Sequence, residues 1–86
     1  MPSFLVESHH TLDECVRVLQ DLLAIGYLTH FDWGCKDGDH TGWAIIEAEN
    51  KAEALMVVPS SVRARARVIQ LTRFSPEEVK AMHTKE

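Results

Sequence analysis

The chain has 86 residues, 45% hydrophobic and 26% charged, with a formal net charge of −4 at neutral pH. This is one domain of ordinary soluble composition, short enough to bury only roughly 60–65% of its extended surface, so its core is thin and gains from a partner subunit. The acidic balance gives no overall attraction to nucleic acid or to an anionic membrane, and no apolar run approaches the ~20 residues of a transmembrane helix.

Phe4-Leu5-Val6 opens a first strand that runs to about His9. Thr11-Leu12-Asp13-Glu14 fits a capping box, with Thr11 at the helix N-terminus and Glu14 reaching back to it. Leu12, Cys15, Val16, Leu19, Leu22 and Leu23 follow the spacing of an amphipathic helix, which Gly26 ends in a left-handed conformation. Leu28–Cys35 and Thr41–Ala48 are the strands of a hairpin turning at Asp37-Gly38, a dipeptide suited to positive φ. Asn50 caps a second helix whose buried stripe is Ala52, Leu55 and Met56, and Pro59 stops it. Ser60–Ala66 is either one more helical turn or the run into the last strand, Val68–Phe74. Ser75, Pro76 and Glu78 start a short C-terminal helix, and the tail from about His83 is expected to fray.

The order β-α-β-β-α-β plus a terminal helix predicts an α+β domain of the ferredoxin-like pattern. It has a four-stranded antiparallel sheet with two helices on one face. Alternation along the strands gives the helices Phe4, Val6 and Ser8, then Ala44, Ile46 and Ala48, then Ile69 and Leu71. Leu5, Trp43, Ile45 and Val68 are left on an open face, an apolar patch that marks an interface or a ligand groove. A two-residue turn sets Trp33 opposite Gly42, Phe31 opposite Ala44 and Cys35 opposite His40, and puts His30 and Asp32 on the open face. A three-residue turn would oppose Trp33 to Trp43 and reverse the grouping. The first register matches large side chains with small ones and is preferred.

Element order, the aromatic-rich second strand, the Trp43–Ala48 strand (W-A-I-I-E-A) and the arginine-rich entry to the last strand resemble the dimeric α+β-barrel families. The likeness covers about residues 3–74. It implies a homodimer packed open face to open face, with a cavity in each subunit. Relatives include small nickel-binding proteins and cofactor-free monooxygenase- and isomerase-type enzymes, so it implies a fold and no single chemistry.

The stretch Phe31–Trp43 holds both tryptophans, Cys35 and three of the four glycines, and it is where a site is expected. Imidazole with thiolate or carboxylate suits a divalent transition metal; the set available is His9, His10, His30 and His40 with Cys35, Glu7, Asp32 and Glu47, and from it the candidate ligands are His9, His30, Cys35 and His40. No CxxC or HExxH is present. The plain alternative is that His9-His10 ends a strand and His40 lies in a loop. Glu7, His9, His30, Asp32, Trp43 and Glu47 are the candidate ligand-binding residues of the open face. There Glu7 or Glu47, if buried in a dimer cavity beside Trp43, would have a raised pKa and could serve as a base, with His9 or His30 the other candidate; the plain alternative is that these groups bond to each other or to water at the interface. Arg63, Arg65 and Arg67, if extended, would line one side and hold an anion. Cys15 falls on the apolar helix stripe and reads as core.

The first residues carry no basic segment ahead of a long apolar core, so no secretory signal is expected. Two cysteines at unrelated positions do not make a disulfide framework. The sequence thus points to a cytoplasmic homodimer that binds a small molecule or a divalent metal ion, and to no nucleic-acid or membrane partner. The alternatives are a cofactor-independent monooxygenase- or isomerase-like enzyme, and a structural dimer without ligand.

Overall fold

A computed structural model describes residues 1–82. The strands are β1 (Ser3–His9), β2 (Asp32–Trp33), β3 (Thr41–Glu47) and β4 (Arg67–Leu71), and the helices are α1 (Cys15–Ile25), α2 (Lys51–Leu55) and α3 (Pro76–Ala81). The four strands form one antiparallel sheet in the order β2-β3-β1-β4. The expectation of a frayed tail from His83 lies outside the described residues.

The local signals set most element ends. Glu14 Oε1 accepts from the Thr11 amide at 2.8 Å, and Gly26 closes α1 at φ 82°. Asn50 Oδ1 accepts from the Glu53 amide at 2.9 Å. Ser75 Oγ accepts from the Glu78 amide at 3.0 Å, while Glu78 Oε1 accepts from the Ser75 amide at 2.8 Å. Ser60–Ala66 is not extended; it contains a 3-10 turn at Arg63–Arg65.

Phe4 and Val6 of β1 and Ala44 and Ile46 of β3 share one sheet face with Val18 and Leu22 of α1, Ala54 of α2, and Val57, Val58 and Val62. Both helices therefore pack on that face. The inward stripe of α1 is Cys15, Val18, Leu19 and Leu22, whereas Leu12, Val16 and Leu23 are exposed. The helix carries two overlapping apolar stripes, and only docking on the sheet chooses between them. In α2 the inward residues are Ala54 and Leu55, followed by Val57 and Val58, while Ala52 and Met56 face outward. The helix is only one turn long, so the chain leaving it supplies the burial.

β4 reverses the expected allocation. Val68 pairs with Val6 and packs on the core, while Ile69 pairs with Leu5 and Leu71 with Ser3 on the open face. The open face thus presents Leu5, Trp43, Ile45, Ile69 and Leu71, and Ile45 is 66% exposed.

The β2–β3 register is the large-against-small one: Trp33 faces Gly42 and Asp32 faces Trp43. The connection differs from a two-residue turn. Residues 28–30 form a 3-10 turn, β2 is two residues long, and a second 3-10 turn occupies Cys35–Asp37 before Gly38 at φ 88°. Gly34 is the pivot, because its carbonyl accepts from both Asp37 (2.9 Å) and Asp39 (3.0 Å). At Gly42 an added Cβ would lie 2.6 Å from the Trp33 ring.

Two substitutions test this arrangement. Gly42→Ala forces the Trp33 ring off the sheet and should lower stability by about 1–3 kcal/mol in urea denaturation. Gly38→Val meets no neighbour but places a β-branched residue at positive φ, and should cost about 1–2 kcal/mol. An unchanged unfolding midpoint for Gly42→Ala would show that the ring does not rest there.

Candidate metal centre

Strand alternation continues one residue past β1. Val6 and Ser8 point to the helix-covered face, and so does His10, which is only 6% exposed. The His10 amide donates to the His40 carbonyl at 3.1 Å, tying the end of β1 to the end of the 34–40 connection. The chain then turns through Leu12–Glu14 and enters α1 at Cys15, whose side chain lies on the inward stripe. Arg65 Nη2 donates to both Glu14 carboxylate oxygens, at 2.8 and 2.7 Å, and fixes this entry just ahead of Cys15. The Arg65 guanidinium, helped by the Thr11 amide, holds the Glu14 carboxyl at about 2.

The second pair of groups comes from the β2–β3 connection. The 3-10 turn at Cys35–Asp37 brings Cys35 back towards α1, and Gly38 reverses the chain so that His40 returns beside it. The Thr41 amide and hydroxyl both bond to Asp39, at 2.7 Å each, which closes the loop.

As a result one ligand atom from each of His10, Cys15, Cys35 and His40 lies within 4.8 Å of all the others. Cys35 Sγ is 3.5 Å from His10 Nε2. The His10 ring stands edge-on to Trp33 and to His40, with centroids 6.1 and 5.7 Å apart. Nδ1 of His10 and Nδ1 of His40 are buried without a hydrogen-bond partner, as is Ser8 Oγ on the same side of β1. A buried polar atom left unpaired carries a desolvation cost of about 1–3 kcal/mol.

The electrostatics suit metal ligation. Burial, and then the neighbouring His40, push the His10 pKa down, so the imidazole keeps a free lone pair at neutral pH. Burial, and then the Cys15 thiol, push the Cys35 thiol up. A divalent cation reverses that preference, since two thiolates cancel its charge and leave a neutral centre in a partly buried place.

Of the expected ligands, Cys35 and His40 belong to this group and His9 and His30 do not. His9 points to the opposite face, where its Nε2 lies 3.1 Å from Glu7 Oε1 and its Nδ1 lies 3.1 Å from Thr41 Oγ1. His30 ends the 28–30 turn and packs on Tyr27, with ring centroids 4.8 Å apart. His10 and Cys15 take the remaining places. The signal for them was present in mirror-image spacing, with four residues between His10 and Cys15 and four between Cys35 and His40.

The open-face residues are only partly brought together. His30, Asp32 and Trp43 line a shallow groove of about 350 Å³ with Leu5 and Ile45. Glu7 Oε2 accepts from Trp43 Nε1 at 3.1 Å, and Arg67 Nη1 lies 3.8 Å from Glu7 Oε1. Glu47 is apart from these, opposite Ser3 and beside Leu71 and Arg73. The expectation of a raised Glu7 pKa is reversed: the Trp43 N–H outweighs burial and, with His9 and Arg67, holds this carboxyl below its usual value. Glu7 is an ionised hydrogen-bond acceptor and not a poised base. The arginines also do not converge, because Arg63 caps the Val58 carbonyl at 3.0 and 2.9 Å, Arg65 binds Glu14 and Arg67 approaches Glu7. No helix among the described residues is long and apolar enough to cross a membrane. No protein-family model, no curated protein and no solved structure matches the chain.

Proposed function

We propose that the protein binds one divalent d-block cation, zinc foremost, through His10, Cys15, Cys35 and His40. The observation that carries this reading is the approach of all four ligand atoms to within 4.8 Å of one another. The finer spacing agrees with it. Zinc–nitrogen and zinc–sulfur bonds of about 2.0 and 2.3 Å at a tetrahedral angle put the two ligand atoms about 3.5 Å apart. His10 Nε2 and Cys35 Sγ are separated by 3.5 Å. Two imidazoles and two thiolates are a tetrahedral donor set that favours zinc over cations preferring square-planar or all-oxygen sites. Four protein ligands leave no open position, so the ion ties the start of α1 to the β2–β3 connection and does not activate a substrate. A reducing, cytoplasmic setting keeps both cysteines available as thiols.

A second reading concerns assembly: the subunit is ferredoxin-like and pairs with a second copy, open face to open face, as a dimeric α+β barrel. Its support is the row Leu5, Trp43, Ile45, Ile69 and Leu71, which no helix among the described residues covers. In such a dimer the groove beside His30, Asp32 and Trp43 would enclose a small molecule. Enzymatic use of that groove, of the monooxygenase or isomerase type, would need a base other than Glu7.

For the metal, titration of the reduced, metal-free protein should show one tightly bound zinc per chain. Free zinc at about 100 times its dissociation constant should stabilise the fold by about 2.7 kcal/mol and raise Tm on the order of 10–20 °C. Cobalt in its place should give the intense visible bands of tetrahedral thiolate ligation. Cys35→Ser should weaken zinc about 100-fold or more. A wild type that binds zinc no better than this variant overturns the proposal. For the dimer, Ile45→Glu should yield a monomer in analytical ultracentrifugation while leaving zinc affinity unchanged, because Ile45 lies on the face opposite His10. A wild type that sediments as a monomer at micromolar concentration removes the second reading.

A further inference from the structure

The metal cluster contains both cysteines of the chain, and their sulfurs lie within 4.8 Å of each other. They sit on different elements. Cys15 opens α1, and Cys35 lies in a 3-10 turn between Gly34 and the left-handed Gly38. A disulfide requires the sulfurs to close to about 2.05 Å, a movement within reach of side-chain rotation and a small shift of a glycine-flanked turn. Neither cysteine is fully buried. A mostly apolar pocket of about 340 Å³, lined by Leu19, Trp33 and Lys36, opens on Cys35. A small neutral oxidant therefore reaches Cys35 from solvent.

We propose that Cys15 and Cys35 form a peroxide-reactive thiol pair whose oxidation to an intramolecular disulfide expels the bound cation. This rests on the metal reading above and adds regulation to it. The Cys35 sulfur attacks one oxygen of the peroxide and the O–O bond breaks. The departing hydroxide takes a proton from solvent and leaves as water, and Cys35, a thiolate in the cation-bound form, becomes a sulfenic acid. The Cys15 thiolate then attacks the Cys35 sulfur, the S–O bond breaks, and the hydroxide leaves and takes a second proton from solvent to become water. Two thiolates lose two electrons, and one peroxide with two protons from solvent becomes two waters. The cation loses both anionic ligands and is left with two imidazoles, too few to hold it against solvent.

The test uses the reduced, zinc-loaded full chain and hydrogen peroxide, with a chromophoric chelator and intact-mass spectrometry. One zinc should be released for each disulfide formed, with a mass loss of two hydrogen atoms per chain. Dithiothreitol should restore zinc binding. In Cys15→Ser the reaction should stop at a Cys35 sulfenic acid that dimedone traps, and Cys35→Ser should give no dimedone adduct at the same peroxide dose. Zinc that stays bound through peroxide treatment, or disulfides formed only between chains, overturns the switch and leaves the metal reading standing. A reduced wild type that binds no zinc overturns both.

Discussion

The Trp33 ring resting on Gly42 is the contact on which the rest of the structure depends. β2 has only two residues, so its ladder hydrogen bonds alone define the register weakly. A glycine opposite a tryptophan defines it strongly, because an added Cβ would sit 2.6 Å from the ring and no neighbouring position of β3 leaves the same space. Once Trp33 faces Gly42, Phe31 stacks beneath it at 5.4 Å on the core side and Asp32 meets Trp43 on the other. The same ring supplies the wall against which His10 stands. One steric match therefore assigns residues to the two faces of the sheet and orients the first imidazole of the cluster.

What could be read in the sequence follows from the range of each interaction. Caps act over three or four residues, and Thr11–Glu14, Gly26, Asn50 and Ser75–Glu78 all lie where their side chains imply. The helix-facing sets of β1 and β3 were legible because their alternation is unambiguous. α1 and β4 were not, because both are apolar on two sides. Val16 and Leu23 fit a helix period as well as Val18 and Leu22 do, and Ile69 is as hydrophobic as Val68. Such choices are made by the partner surface, which no local pattern encodes. The β2–β3 connection was legible in its register and in the positive φ of Gly38, but the 3-10 turn at Cys35–Asp37 depends on both hydrogen bonds to the Gly34 carbonyl.

The cluster shows the same division. Cys35 and His40 are near in sequence, and their proximity follows from a turn. His10 and Cys15 join them through the antiparallel pairing of β1 with β3 and the docking of α1, contacts between residues about thirty apart along the chain in the first case. Cys15 reads as core on the helical wheel, and it is indeed on the inward stripe. What the wheel omits is that the residues across from it are two imidazoles and a thiol in place of aliphatic groups. A chain of this size has few apolar residues for that end of the core: in α1 Cys15 and Leu19 are half-buried where Val18 and Leu22 are fully buried. A cation bound by side chains from both connections would add cohesion at this partly buried end.

His9 and His10 are adjacent and point to opposite faces of the sheet, and both act on the same loop. From the core side the His10 amide holds the His40 carbonyl. From the open side His9 bonds to the Thr41 hydroxyl, which donates to Asp39, and His9 also meets Glu7, which accepts from Trp43. The loop that carries Cys35 and His40 is thus clamped between a buried donor set and a half-exposed polar chain that leads to the apolar open face. The side chains that order the loop, His9, Asp39 and Thr41, are distinct from those that would ligate a cation; His10, Cys35 and His40 contribute backbone hydrogen bonds to it. The ligand side chains can therefore be removed one at a time while the loop keeps its other anchors. This separation would make any loss of metal affinity in such variants a property of the donor set and not of a collapsed turn.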